Sequence, residues 1–293
     1  MPQAVFHTSA QRGGQTRYRG WLWALLVIYA LARAAQLIPD RIPMVAVVSL
    51  HVLPPLAFAL VHGAIVYRRR GILTFVLLCL VIGNALENLS VVSGFPFGHY
   101  HFTGVMGPKI FAVPILLGLA YIGMGYISWI VARLILGDAA GPLTGSRILT
   151  RPLAAAFVMV AWDFSMDAVW SNLVRGWTWQ EGGAYFGVPV SNFMGWYLTV
   201  YLIYQSFALY LRRRPAGPGL LPPGFWRTAV LFYGVSAVGN LFVVAPRGLR
   251  IVTDASAAEW RVSGILSASA LVSIFVMGAF TLLAWVRLLD ESS

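Results

Sequence analysis

Three carboxylates lie in stretches that are otherwise largely apolar: Glu87 in NALENLS, and Asp163 and Asp167 in WDFSMDAVW. Helical spacing sets Asp163 and Asp167, four apart, on one face, and gathers Asn84, Glu87 and Asn88 on another. Two carboxyl groups side by side in a low-dielectric setting cannot both ionise cheaply. One of the pair is therefore expected to hold a proton near neutral pH. A carboxylic acid held beside a carboxylate is the equipment of general acid–base chemistry.

Two polar loops follow these stretches. The first, GFPFGHYHFTGVMGPK (Gly94 to Lys109), offers Phe97, His99, Tyr100, His101 and Lys109. Its glycines and prolines suit a re-entrant or tightly turned cap, with Tyr100, His99, His101 and Lys109 addressing Glu87 and the aspartates. The second, RGWTWQEGGAYFGVPVSN, offers Trp177, Trp179, Tyr185 and Asn192. His99 and His101 with three carboxylates would also suit an iron or zinc site. Five histidines in the whole chain and a bare His-x-His spacing make a thin ligand set, so no metal is expected.

Plainer readings stand beside these. Tryptophans near helix ends form interfacial belts. Buried carboxylates can be structural, each held by an asparagine or arginine across a bundle. His51 and His62, alone on an apolar stretch, read as hydrogen-bonded packing residues. The grouping of three acids with a polar loop favours function, because charge inside a bilayer is expensive.

The elements that must position these residues follow from composition. Of 293 residues, 59% are hydrophobic and 11% charged, with a mean hydropathy of +0.75. Apolar runs approach the roughly 20 residues that cross a bilayer. The chain reads as an all-α, polytopic transmembrane helix bundle forming a single integral membrane domain over 1–293. About eight spans are expected, near 21–38, 44–67, 72–93, 108–136, 152–174, 191–211, 226–246 and 263–286. A first segment read as a cleaved signal peptide would leave seven. The lone Cys79 excludes a disulfide framework.

The net charge of +11 does not point to nucleic acid. Its arginines cluster between apolar runs, at Arg68-Arg69-Arg70, Arg147 and Arg151, and Arg212-Arg213-Arg214 before the Pro/Gly linker at 215–224. These fall on alternate connections, so both termini are expected on the cytoplasmic side. The outward loops are then 39–43, 94–107, 175–190 and 247–262. Counting spans from there brings Glu87, Asp163, Asp167 and both polar loops to one depth of the membrane.

The two loops also carry a resemblance. Gly94, Pro96, Phe97, Gly98, Tyr100, Phe102, Gly107, Pro108 and Lys109, with Tyr185 to Pro189, Asn192, Phe193, Gly195 and Trp196, resemble the carotenoid-biosynthesis membrane family that includes gamma-carotene and bisanhydrobacterioruberin hydratases. The likeness covers about residues 80–210. The chain departs from the pattern at Asp167-Ala168, where Asp-Pro is usual, which puts the local helix geometry and the role of Asp167 in question.

The resemblance implies an integral protein of a bacterial inner membrane acting on a lipophilic carotenoid among membrane lipids. The implied reaction is cofactor-free hydration of the terminal isoprenoid C=C of an acyclic carotenoid end to a tertiary alcohol. In that reading the Asp163/Asp167 pair supplies the acid and its partner. Glu87 or His101 is the base or water-holder. Lys109 and Asn192 orient the carboxylates, and Asn88, Phe97, His99, Tyr100, Trp177, Trp179 and Tyr185 line or order the pocket. A cyclase or isomerase would pass through the same cation, and a transporter or binding protein would also use intramembrane acids. A retinal Schiff base would need the only lysine, Lys109, inside a helix. The oligomeric state is left open.

Overall fold

The computed structural model describes residues 6–38, 41–137, 143–213, 221–245 and 248–290. The connections expected at 39–43, 215–224 and 247–262, and the one before Arg147, fall partly outside these residues. Within them the chain is an all-α bundle, as a bilayer demands of segments that must satisfy their own backbone polar groups. Five helical stretches are long and apolar enough to cross a membrane: Tyr18–Leu37, Ala46–Ser93, Ile115–Ile135, Arg147–Val174 and Val262–Asp290. The protein is integral to the membrane.

The first helix, α1, is Phe6–Ala34. The next runs over Met44–Leu78 but breaks at Arg68, whose backbone (φ 59, ψ 169) is not helical. Nine residues of straight helix would separate Gly63 and Ile72 by about 13.5 Å. Instead a Cβ on Gly63 would stand 2.5 Å from Ile72 Cδ1, so the chain folds back at the arginine run. The two arms are α2 (44–67) and α3 (69–93), and α3 contains a π-turn at Cys79–Gly83.

α4 (Ile115–Ile135) is the central helix, with an unbroken buried stretch from Ala120 to Leu134. It packs on α2 so closely that a Cβ on Gly123 would lie 2.8 Å from the Leu56 nitrogen, beside the Pro54-Pro55 pair. Small residues at such crossings are what membrane helices use to approach. α4 also packs on α5 (Arg147–Val169, continued by a π-turn at Trp170–Val174), and α5 in turn on α6 (Val190–Arg212). α7 (Pro223–Asn240) lies against α1 and α4. α8 closes the bundle over 262–290, with a π-turn at Ser273–Met277.

The fourth expected span, 108–136, starts later than its hydropathy suggested. Residues Lys109–Ile110 (β2) and Val113–Pro114 (β3) form a hairpin, and the helix begins only after Pro114. Proline at 108 and 114 disfavours helix in the residue before each, so the apolar run between them turns instead.

Two loops at the same end of the bundle are stitched into one cap. β1 (Tyr100–Phe102) pairs antiparallel with β4 (Trp177–Trp179), Tyr100 opposite Trp179 and Phe102 opposite Trp177. The bonds Gln180 N–H to His99 O (2.9 Å) and Thr103 N–H to Gly176 O (3.0 Å) extend the pairing at both ends. A second hairpin joins β5 (Ile251–Thr253) to β6 (Glu259–Arg261).

Candidate active site

The pairing of β1 with β4 decides what faces inward. Side chains alternate along a strand, so Tyr100 and Phe102 turn in with Trp177 and Trp179, while His101 and Thr178 do not share that face. Tyr100, Phe102, Trp177 and Trp179 are buried and His101 is exposed. The Phe97 backbone is clamped by two serines. Its N–H donates to Ser90 Oγ (3.0 Å) and its carbonyl accepts from Ser191 Oγ (2.9 Å). This seats the Phe97 ring against α6, where Gly195 leaves it room: a Cβ there would stand 2.7 Å from Phe97 Cδ1.

Beneath the cap lie the acids. Glu87 on α3 is 3% exposed. It accepts hydrogen bonds from the Tyr100 hydroxyl and, across 2.7 Å, from Tyr121 Oη of α4. Asp167 on α5 is fully buried. Its Oδ1 accepts from the indole N–H of Trp177 (3.1 Å) and Trp179 (3.4 Å), and its Oδ2 from Asn192 Nδ2 (2.6 Å). The same amide nitrogen reaches Asp163 Oδ2 at 3.3 Å. Asp163 Oδ1 is buried and has no partner among the described residues.

The carboxyl groups of Glu87 and Asp167 line one cavity of about 20 Å³. Phe97, Tyr100, Trp177, Trp179 and Trp196 supply its aromatic walls. Tyr100 stacks tilted on Trp179 (ring centroids 4.9 Å apart), and Tyr121 lies parallel to Trp196 (4.6 Å). That volume leaves room for about one water. Burial, followed by the charge and hydrogen bond of Glu87, holds the Tyr100 phenol proton well above its ordinary range, so Tyr100 remains a donor.

The expected site residues divide. Glu87, Phe97, Tyr100, Asp163, Asp167, Trp177, Trp179 and Asn192 come together. His101 does not, because its neighbours in the strand take the inward face. His99 pairs at the surface with Glu181, at 3.0 Å. Lys109 is not beside the carboxylates: its Nζ donates to the Phe102 carbonyl (2.5 Å) and ties the hairpin to β1. That placement also lies outside any helix, which removes the geometry of a retinal lysine. Asn88 bonds the Asn84 carbonyl (2.8 Å) and the Ala112 N–H (3.0 Å), holding α3 to the β2–β3 turn. Tyr185 packs on Phe164 and Phe193, with ring centroids at 4.6 and 5.6 Å. Its phenol is pushed up to about 12 by burial and by the charge of Asp167.

Of the wall, Phe102, Leu117 and Trp196 were not among the expected site residues, nor was Tyr121, which donates to Glu87. Trp196 sat inside the resembling motif. Tyr121 had no distinguishing mark, since Tyr126 on the same helix looks equivalent. Tyr126 in fact bonds His62 Nδ1 (2.7 Å), and His51 bonds Gln36 (3.0 Å), so both histidines serve packing networks. Among the described residues no three of His, Cys, Asp and Glu gather as a metal ligand set.

Fold and site together define an integral membrane protein that keeps carboxyl groups under an aromatic cap, in a cavity of water scale. The chain belongs to the carotenoid biosynthesis protein family, whose model matches residues 44–253 and so takes in every residue of the acid cluster. Comparison with curated proteins and with solved structures returned no match. The family and the apolar helices fit a lipophilic substrate met within the membrane.

Proposed function

We propose that the protein is a carotenoid hydratase, adding water across the terminal isoprenoid C=C of an acyclic carotenoid end to give a tertiary alcohol. The observation that carries this reading is that Glu87 and Asp167 face one aromatic-walled cavity from opposite elements.

The chemistry balances as follows. A carboxylic acid gives its proton to the less substituted alkene carbon, the π pair forming the new C–H bond. The neighbouring carbon becomes a tertiary cation, which the faces of Tyr100, Trp177, Trp179 and Trp196 and the carboxylates stabilise. A water lone pair closes the C–O bond, and a second carboxylate takes the proton released from that water. No electrons are gained or lost, so the reaction needs no redox cofactor.

The Asp163/Asp167 pair supplies the acid. Asp167 stands at the cavity and Asp163 behind it, with Asn192 between them. The free Oδ1 of Asp163 is a place for the shared proton, since an ionised oxygen left there without a donor would be costly. Glu87, with two phenol donors, suits the role of base. Phe97 and Phe102 complete the apolar wall; the space between the acids holds about one water, so the cap must part from the acids for the isoprenoid end to enter. The arginine clusters support an inner-membrane orientation with both termini cytoplasmic.

Expression beside a lycopene pathway, followed by mass analysis of the carotenoids, tests the reading. A product heavier by one water is expected. A rearranged product of unchanged mass would make the protein a cyclase or isomerase, and unchanged lycopene under verified expression would remove the activity for that substrate.

A further inference from the structure

A second cavity opens at the other end of the bundle. It lies between the middle of α1, the end of α2 and the first turns of α7, and has a volume of about 610 Å³. Ile65, on its wall, precedes the Arg68 turn by three residues. Glu87 lies nineteen residues beyond Arg68 along α3, roughly 28 Å of helix. The groove therefore sits at the opposite membrane boundary from the acid cluster and shares no lining residue with it.

Its chemistry is divided. Leu22, Ile65, Leu221 and Phe225 make an apolar wall, and Arg19 and Arg227 bring two guanidinium groups. Arg19 reaches across to α7: a Cβ on Gly224 would stand 3.8 Å from its Nη2. Arg227 is held from the other side by packing over the Trp285 ring of α8, at 5.6 Å, and its Nε is buried without a partner among the described residues. No acidic residue lines the groove. None occurs in the sequence from 1 to 39 or from 182 to 253, the stretches that contain α1 and α7. Two cations over the N-terminal turn of a helix, beside an apolar wall at a bilayer boundary, fit a phosphate with a hydrocarbon chain attached.

We propose that this groove binds an anionic phospholipid, with the headgroup phosphate between Arg19 and Arg227 and an acyl chain along Leu22, Ile65 and Phe225. The site is independent of the catalytic reading above.

The test uses the full-length protein in a neutral detergent, with native mass spectrometry as the readout. The probes are short-chain phosphatidylglycerol, phosphatidylcholine and sodium phosphate. Phosphatidylglycerol is expected to be retained in preference to phosphatidylcholine. Arg19→Gln and Arg227→Gln should each weaken it about fivefold, the effect of one basic residue at an anionic lipid surface. Arg227→Lys and Arg213→Gln, the latter at the same end but outside the groove, should hold the lipid as the parent protein does. Equal retention of the two lipids, or unchanged binding in both Gln variants, overturns the proposal. Displacement of phosphatidylglycerol by sodium phosphate at equal concentration also overturns it, leaving a small-anion site. If Arg227→Gln does not fold, Arg19→Gln alone decides.

Discussion

Asn192 donates its side-chain amide to Asp167 Oδ2 across 2.6 Å, and the same nitrogen stands 3.3 Å from Asp163 Oδ2. One neutral group on α6 thus sits between two carboxyl groups that share a face of α5. Replacing it by leucine leaves buried oxygens short of a donor, at about 1–3 kcal/mol. Asn192→Leu is expected to lower the unfolding temperature in detergent and to reduce alkene-to-alcohol conversion in a carotenoid-producing host. Full conversion by a folded Asn192→Leu protein would mean the pair works without its bridge.

Glu87 is the cavity carboxyl with two phenol donors. On the proposed role of Glu87 as base, Glu87→Gln, which preserves its size, is expected to cut turnover by about 10²–10⁴, the range for loss of a general base. Tyr100→Phe and Tyr121→Phe each remove a buried hydrogen bond to Glu87, worth about 1 kcal/mol or more. Because both act on one carboxylate, their effects should not add. Product quantification in single and double variants checks this; simple additivity would argue that the two hydroxyls do separate work.

His101 and Lys109 are expected to be dispensable for the chemistry. His101→Ala should leave conversion unchanged, since the ring stands on the outer face of β1. Lys109→Met releases the Phe102 carbonyl, a partly exposed bond worth about 1 kcal/mol. Faster hydrogen exchange in the 100–114 cap is the expected consequence. A His101→Ala protein without activity would return the histidine to the mechanism.

A pH effect is expected in the β5–β6 hairpin rather than at the core. Partial burial pushes the Asp254 carboxyl up. That push is outweighed by hydrogen bonds from Ser256, the Trp260 indole (2.8 Å) and the Ala258 and Ser256 N–H groups, so the group ends below its ordinary value. A lowered folded-state value stabilises the hairpin above the unfolded value and loses that contribution as pH falls through the folded one. Trp260 fluorescence should therefore hold steady down to about pH 4 and shift below it. Asp254→Asn should abolish the shift; an identical transition in that variant would assign it to another group.

The helical segments were legible because hydrophobic length and arginine breaks report the bilayer directly. Arg68-Arg69-Arg70 marks the turn between α2 and α3, and the five stretches among the described residues that are long and apolar enough to cross a membrane lie within the apolar runs. The polar positions were legible for a related reason: Glu87, Asp163, Asp167 and Asn192 are expensive in that setting unless they meet. Pro108 and Pro114 carried the signal that moved the start of α4, but it was weaker than the apolar run around it.

What only the tertiary structure decided is who meets whom. Strand pairing between Tyr100 and Trp179 joins loops almost eighty residues apart, and that register turns the aromatic rings inward and His101 outward. Tyr121 was chosen over Tyr126 by the rotation of α4 against α3. Single-chain hydropathy holds the depth of a residue in the membrane, because depth follows from counting along a helix. It does not hold rotation about the helix axis or strand register, which are fixed by packing between elements distant in the chain.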